Sequence, residues 1–482
     1  MHATTRTTIW TILLVIALTG ALTQFAGAAN PKEGVALTVY NGGYCVAREH
    51  RVLDIDRSGQ VKFTDVPLTI DATTVHFKSL TDPAAKLLEQ NYQFDLVSAD
   101  KLLRKYIDKS IEVVCEGKTY AGTLLSYDGG QIVLKQTDGR IAMVQRPNNV
   151  RDIRFGALPG GLLTKPTLLW QVATQRPGKH LTEVTYQASN IRWHAEYVLV
   201  LNGDDTAADM SGWVSVENNT GKTYRDAKLK FIAGDVRKIV SQKAQRNVLR
   251  GKRESASSAA YMAEKAFFEY HMYTLPRPST VANAEVKQLE MFTPAKGVRV
   301  EKKFLYNPLG NWRWSHGGRY TDRSYGTTSN KKVNVFIEFR NEKKNNLGMP
   351  LPAGKIRVYK QDPDDDAMEF IGEEKIDHTP KDEKLSLRIG NAFDIVGERK
   401  QTNFRVESSR HWIQESIELK IRNHKKQAIT VRIKEPLYRW ASWGITKESQ
   451  KHTKLDSRNI AFDVKVPVDG ETTVTYTVDY TW

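Results

Sequence analysis

LGMPLPAGKIRVYKQDPDDDAMEFIGEEKIDHTPKDEKLSLRIGNAFDIVGERK, residues 347–400, is the most regularly patterned stretch of the chain. Pro350 and Pro352 hold its start extended. Ile356 and Val358, then Glu369 and Ile371, then Leu385, Leu387 and Ile389 fall at alternate positions. A period of two sends alternate side chains to opposite faces, so three short strands are expected. An acidic turn at 362–366 and a corner running from His378 to Glu383 separate them. Thr379, Pro380 and Asp382 have the form of a cap for a single helical turn that leads into the third strand.

Working outward, three runs share one form. Val214-Ser-Val216-Glu-Asn218, Val335-Phe-Ile337-Glu-Phe339-Arg-Asn341 and Ile417-Glu-Leu419-Lys-Ile421-Arg-Asn423 each alternate, end in Asn and lead through a polar turn to a second strand. Asn tolerates left-handed backbone and bonds its own turn, which suits it to these corners. Recurrent hairpins of this kind imply stacked sheets with one face of each strand buried. At the far end Val474, Tyr476, Val478 and Tyr480 alternate up to Trp482, as in the last strand of an outer-membrane barrel. Charge is spread through the other strands, so a closing sandwich strand is the expectation.

Upstream, residues 30–108 form short alternating runs punctuated by Gly42-Gly43 and Ser58-Gly59. Two short helices follow. Asp82-Pro83 starts the one carrying Leu87 and Leu88, and Ser98 caps the one carrying Leu102, Leu103, Tyr106 and Ile107. Between 109 and 156 five short strands, with Asp128-Gly129 and Asp138-Gly139 at turns, resemble a small SH3-like or Sm-like barrel. The fold class expected is therefore mainly β and multidomain, with a β-sandwich-like region over 165–482. Loops near 241–260 (basic, rich in Ser and Ala) and 311–330 interrupt it.

A chain of 482 residues exceeds one ordinary core. Its net charge of +16 favours acidic partners. Arg6, the apolar run Ile9 to Leu22 and the small-residue site Ala26-Gly27-Ala28 read as a secretory signal peptide over 1–29, cut near Ala28 or Ala29. No transmembrane span is expected after that cut. Export to the periplasm or cell surface removes nucleic acid as a partner and turns the charge toward envelope proteins or acidic polysaccharide. Cys45 and Cys115 are either a disulfide or two buried thiols, and the sequence leaves both open.

Several motifs resemble one family. They are Ala195-Glu-Tyr197 with Asn218-x-Thr-Gly221, Tyr270-His-Met-Tyr273-Thr-Leu-Pro276, Lys287-Gln288, Leu351-Pro-Ala-Gly354, and Ile371-Gly-Glu through Asp377-His-Thr-Pro380 to Gly390-x-Ala-Phe-Asp394. Over about 165–482 the chain is similar to secreted bacterial proteins grouped as domain of unknown function number 4139, also labelled mucoidy-inhibitor-like. The N-terminal part resembles the β-unit that usually precedes that region. The resemblance implies an exported β-rich scaffold and carries over no catalytic residues. Many members place a coiled-coil hairpin where this chain has the small barrel.

Three constellations are chemical candidates. Asp362, Asp364 and Asp366 with Glu373 have the spacing of a calcium loop, though Ala367 replaces the turn Gly and strands flank the loop. The competing reading is a solvated hairpin tip that protects a sheet edge. Trp312, Arg313, Trp314, Arg319 and Tyr320, with Arg323 and Tyr325, offer stacking faces and guanidiniums suited to an acidic glycan. His378 beside Asp377 and Asp382 is a weak general-base candidate with no nucleophile nearby. Hydrolase, zinc-protease, P-loop and dinucleotide signatures are missing from the sequence. The expectation is an exported, non-catalytic structural or interaction protein. Its rivals are an acidic-glycan-binding protein and a glycan hydrolase using carboxylates within 362–383.

Overall fold

A computed structural model of the chain describes residues 32–157, 162–234, 236, 262–310, 320–327, 329–362 and 364–482. The leader expected over 1–29, the loop 241–260 and residues Trp312, Arg313, Trp314 and Arg319 lie outside the described residues. The protein is mainly β: the described strands form five sheets, and helix is confined to short segments such as Ala99–Lys105. Ser98 caps that helix, as expected, by accepting the N–H of Lys101.

The largest N-terminal sheet is built from both ends of the sequence division. Gly34–Tyr40 pairs antiparallel with Tyr44–Ile55 and parallel with Tyr224–Ala233. Gly178–Ser189 pairs with Tyr44–Ile55 on one side and Ile70–Ser79 on the other. Strands from 30–108 and from beyond 165 thus lie in one sheet. A second sheet runs in the order Glu285–Arg299, Ala207–Asn218, Ile191–Leu201, Gly354–Gln361, Met368–Ile376. These two sheets and a small three-stranded one share a core that includes Leu37, Trp170, Tyr186, Tyr197, Phe231 and Ile356.

Leu87 and Leu88 lie on the strand Lys86–Gln93, not on a helix. Asp82 accepts bonds from the Ala84 N–H and the Thr174 hydroxyl, which closes a single turn. Leu87 then pairs with Val172 and packs on the core while Leu88 faces solvent. The region 110–155 has the expected five strands, in the order Val150–Phe155, Ser110–Cys115, Lys118–Tyr127, Gln131–Gln136, Ile141–Gln145. Its two edge strands do not pair with each other among the described residues, so the sheet does not close into a barrel. Leu103 and Tyr106 from the preceding helix cap its separate core. Cys45 and Cys115 are free thiols, in the first sheet and in this one respectively.

The C-terminal part is one nine-stranded sheet folded on itself, so that Gly470–Thr481 faces Asn459–Val466 across a second core. Val474, Tyr476, Val478 and Tyr480 all point into that core, and the strand pairs along its length with Trp412–Asn423. The strand Lys384–Glu407 joins the two cores: Leu385 and Leu387 belong to the first, Ile395 to the second.

The three Asn corners are fully buried. None has a positive φ. Each amide instead donates to carbonyls across its turn and beyond it: Asn218 to Lys222, Val281 and Ala282, Asn341 to Met349 and Pro380, and Asn423 to Gln427 and Pro467. Asn is used here as a staple between loops, because its NH2 and C=O satisfy several buried backbone groups at once.

Next to the first corner a buried charge network crosses the large sheet. Glu49 accepts from Lys222 Nζ (2.6 Å), from Arg51 Nε (2.7 Å) and from the Tyr186 hydroxyl. Burial opposes ionisation of Glu49, but the neighbouring Lys222 ammonium and Arg51 guanidinium outweigh it and hold the carboxyl below the usual glutamate range. Replacing Lys222 by Met strands that carboxylate, and a loss of about 3–5 kcal/mol in urea unfolding is expected. Because the folded pKa is depressed, the stabilisation by Glu49 is present above the ordinary glutamate range and is lost as pH falls below it. The Lys222→Met variant is expected to lack that acid-dependent component.

Candidate functional site

The hairpin Gly354–Gln361 and Met368–Ile376 forms one border of the second sheet. Its inner strand lies parallel to Ile191–Leu201, with Ile356 and Val358 buried. Its outer strand has Gly354–Gln361 as its sole ladder partner among the described residues. From Gly372 onward the strand Lys384–Glu407 closes over that border: a Cβ on Gly372 would meet the Ile389 carbonyl oxygen at 2.6 Å. Met368 to Phe370 remain exposed, whereas Ile371 packs against the first core. Met368 is 61% exposed, Phe370 is 54% exposed and Phe393, on the covering strand, is 96% exposed.

Phe393 has the same parity along its strand as the buried Leu385, Leu387 and Ile395. Simple alternation therefore predicts it buried. It is exposed because the pairing with Lys332–Arg340 shifts register between Arg388 and Gly390 and again between Asn391 and Val396, which resets the alternation, so that Ala392 packs on the second core instead.

The acidic turn at the hairpin tip is held by its own backbone. Asp362 accepts the Asp364 N–H (2.9 Å), Asp365 accepts the Ala367 N–H (2.9 Å) and Asp366 accepts from the Gln361 amide (2.9 Å). Asp366 takes the left-handed conformation (φ 59°). Glu373 is turned to Lys355 (2.9 Å) and Arg357 (3.7 Å). Asp362, Asp364, Asp366 and Glu373 are thus not brought together, and among the described residues no group of three or more His, Cys, Asp or Glu side chains is arranged to hold a metal ion. The bonds are those of Asx-turns at a hairpin tip.

His378 lies at the next corner. Its Nδ1 accepts the Ala353 N–H (3.1 Å), and Thr379 forms a backbone bridge to Leu351. The single helical turn expected there is absent: Asp382 turns the chain with φ 67° and bonds back to Asn341. The corner is a strut between the Pro-rich start and the third strand.

Of the aromatic candidates, Tyr320 is described. Its ring stacks on Tyr325 (4.0 Å, 5°), and its carbonyl accepts from Arg439 (2.9 Å). Arg439 also holds the carbonyls of Asp322 and Tyr325, and Arg399 holds that of Gly326. These guanidiniums are buried against Glu415 and Glu435. Glu435 is fully buried, and its Oε2 has no hydrogen-bond partner. Burial pushes its carboxyl up to about 7 against the pull of Arg399. Sequence patterning missed these charges because each sits at an inward position of an otherwise apolar strand or its end.

The fold and this border define a multi-sheet β protein that presents an acidic, partly apolar strand edge. The family described as Domain of unknown function (DUF4139) matches residues 182–482, and the chain belongs to it. No curated protein matches the chain. Among the described residues no helix is long and apolar enough to cross a membrane.

Two measurements check this site. Chelator or added calcium is expected to leave the melting temperature unchanged, since the acidic side chains are engaged by their own turn and by Lys355 and Arg357. For Glu435, a folded pKa of about 7 lies above its ordinary 4.5, so its contribution is complete at low pH and lost as pH rises through 7. Wild type is expected to lose about 2–3 kcal/mol relative to Glu435→Gln between pH 5 and pH 8 in urea titrations.

Proposed function

We propose that the protein is an exported, non-catalytic interaction protein of the bacterial envelope, with the Gly354–Ile376 border as its docking surface. The observation that carries this is the exposure of Phe393 together with Met368 and Phe370 beside an uncovered strand edge. Lone exposed apolar residues are ordinary, but three large exposed apolar side chains on two neighbouring strands, one of them an open edge, are what a partner covers. The leader pattern at 1–29 supports export, and the excess positive charge suits an anionic envelope.

Expressed in bacteria, the chain is expected in the exported fraction with a new start after Ala28 or Ala29. An unprocessed cytosolic protein would contradict the assignment. A photo-crosslinking residue at position 393 is expected to give discrete adducts in cells, whereas one at the exposed Val468 gives none. Equal labelling from both positions would remove the case for a docking surface.

A further inference from the structure

The partner's chemistry follows from the charge of that border, an argument that rests on the interaction reading above. Residues 362–374 contain seven carboxylates and no Lys or Arg, in a chain whose net charge is +16. Glu373 is neutralised by Lys355 and Arg357. Among the described residues no ion pair reaches Asp362, Asp364, Asp365, Asp366, Glu369 or Glu374, and the nearby Lys360 is engaged by Asp205 (2.6 Å).

We propose that the exposed edge at Met368–Phe370, with Phe393, accepts an extended cationic peptide segment as an added strand. An edge strand offers unpaired N–H and C=O groups that an incoming chain satisfies along the ladder. Alternate residues of that incoming strand face opposite sides of the sheet. Apolar residues on one side meet Phe370 and Phe393, and Lys or Arg on the other meet the carboxylates. The same strand of a second copy is the wrong occupant, because it would set Glu369 and the acidic tip of one chain against those of another, and like charges on paired strands destabilise. An acidic polymer is excluded from this border for the same reason.

The probe is a fluorescent peptide of alternating Lys and Val, titrated by anisotropy against the full chain at low salt. Saturable binding is expected, weakened about tenfold or more by half-molar salt through screening. Phe370→Ser with Phe393→Ser is expected to weaken it about tenfold, and so is Asp364→Asn with Asp365→Asn and Asp366→Asn, in each case with the melting temperature kept. A peptide with Pro in place of Val has no N–H at those positions and is expected to bind about tenfold more weakly. If the Pro peptide binds as well as the Val peptide, or if the serine variant binds normally, the contact is plain ion exchange and the added strand is wrong. A Glu-Val peptide that binds equally well would overturn the charge assignment. Concentration-dependent self-association lost in the serine variant would make a second copy the occupant and overturn it too. Crosslinking at 393 that persists without peptide binding would leave the interaction reading standing and remove the cationic strand alone.

Discussion

Lys222 is the residue on which the arrangement of the N-terminal half depends. Its ammonium is buried against Glu49 on Tyr44–Ile55. Its backbone belongs to the Asn218 corner, where its carbonyl accepts from the Asn218 amide (2.9 Å) and its N–H donates to Thr220 (3.2 Å). One side chain thus fixes a strand that precedes the family region to a turn within it. Gly221 tightens the same corner, with φ +84° and the Leu68 side chain where a Cβ would lie. Separating these strands would leave the Lys222 ammonium without its carboxylate partner in an apolar core and Glu49 with Arg51 as its remaining cation, more costly than losing an exposed ion pair. The large sheet, made of strands from both sides of residue 165, follows from that constraint.

The C-terminal core repeats the device with different residues. Arg399 and Arg439 are buried with Glu435 and Glu415, and Arg399 Nη1 and Arg439 Nη1 hold carbonyls of the segment 320–326. Arg suits this position because its planar fork can bind a carboxylate and a backbone carbonyl together. The segment therefore lies over the second core through backbone contacts, with Gly326 (φ +74°) set directly against the Tyr438 ring. The two cores meet along Lys332–Arg340 and Lys384–Glu407. Register shifts reset the alternation of Lys384–Glu407 where it passes from one core to the other, so Ala392 packs on the second core and its neighbour Phe393 is exposed.

Alternation made most strands legible, including the final one, because a face buried in one core leaves a period of two in the sequence. The recurrent Asn corners were visible as well, but their role was not. A turn motif predicts a local bond, whereas Asn218, Asn341 and Asn423 also staple segments distant in sequence. Asp82-Pro83 read as a helix start because cap and turn share the same residues, and only the pairing of Leu87 with Val172 separates the two. The spacing of Asp362, Asp364, Asp366 and Glu373 matched a calcium loop in one dimension. On a hairpin, Glu373 lies on the returning strand and turns to Lys355, away from the tip. Exposure of Phe393 was beyond sequence reasoning, since it depends on where one core stops and the next begins.

The charge of the whole chain and the charge of its acidic border act over different distances. At physiological salt, fields from exposed charges fade within about 8 Å. An approaching cationic segment therefore meets the excess positive charge of the body as a weak, diffuse repulsion, and the carboxylates of 362–374 only near contact. Such an arrangement favours discrimination at contact over long-range steering. It also protects the edge meanwhile. An uncovered strand carrying Met and Phe is prone to pair with its own kind, and clustered carboxylates beside it oppose that pairing. A feature that looked like a metal site in the sequence is better explained as the means by which an apolar edge stays open without aggregating, because neighbouring turn bonds fix the carboxylates outward, where repulsion between copies is greatest.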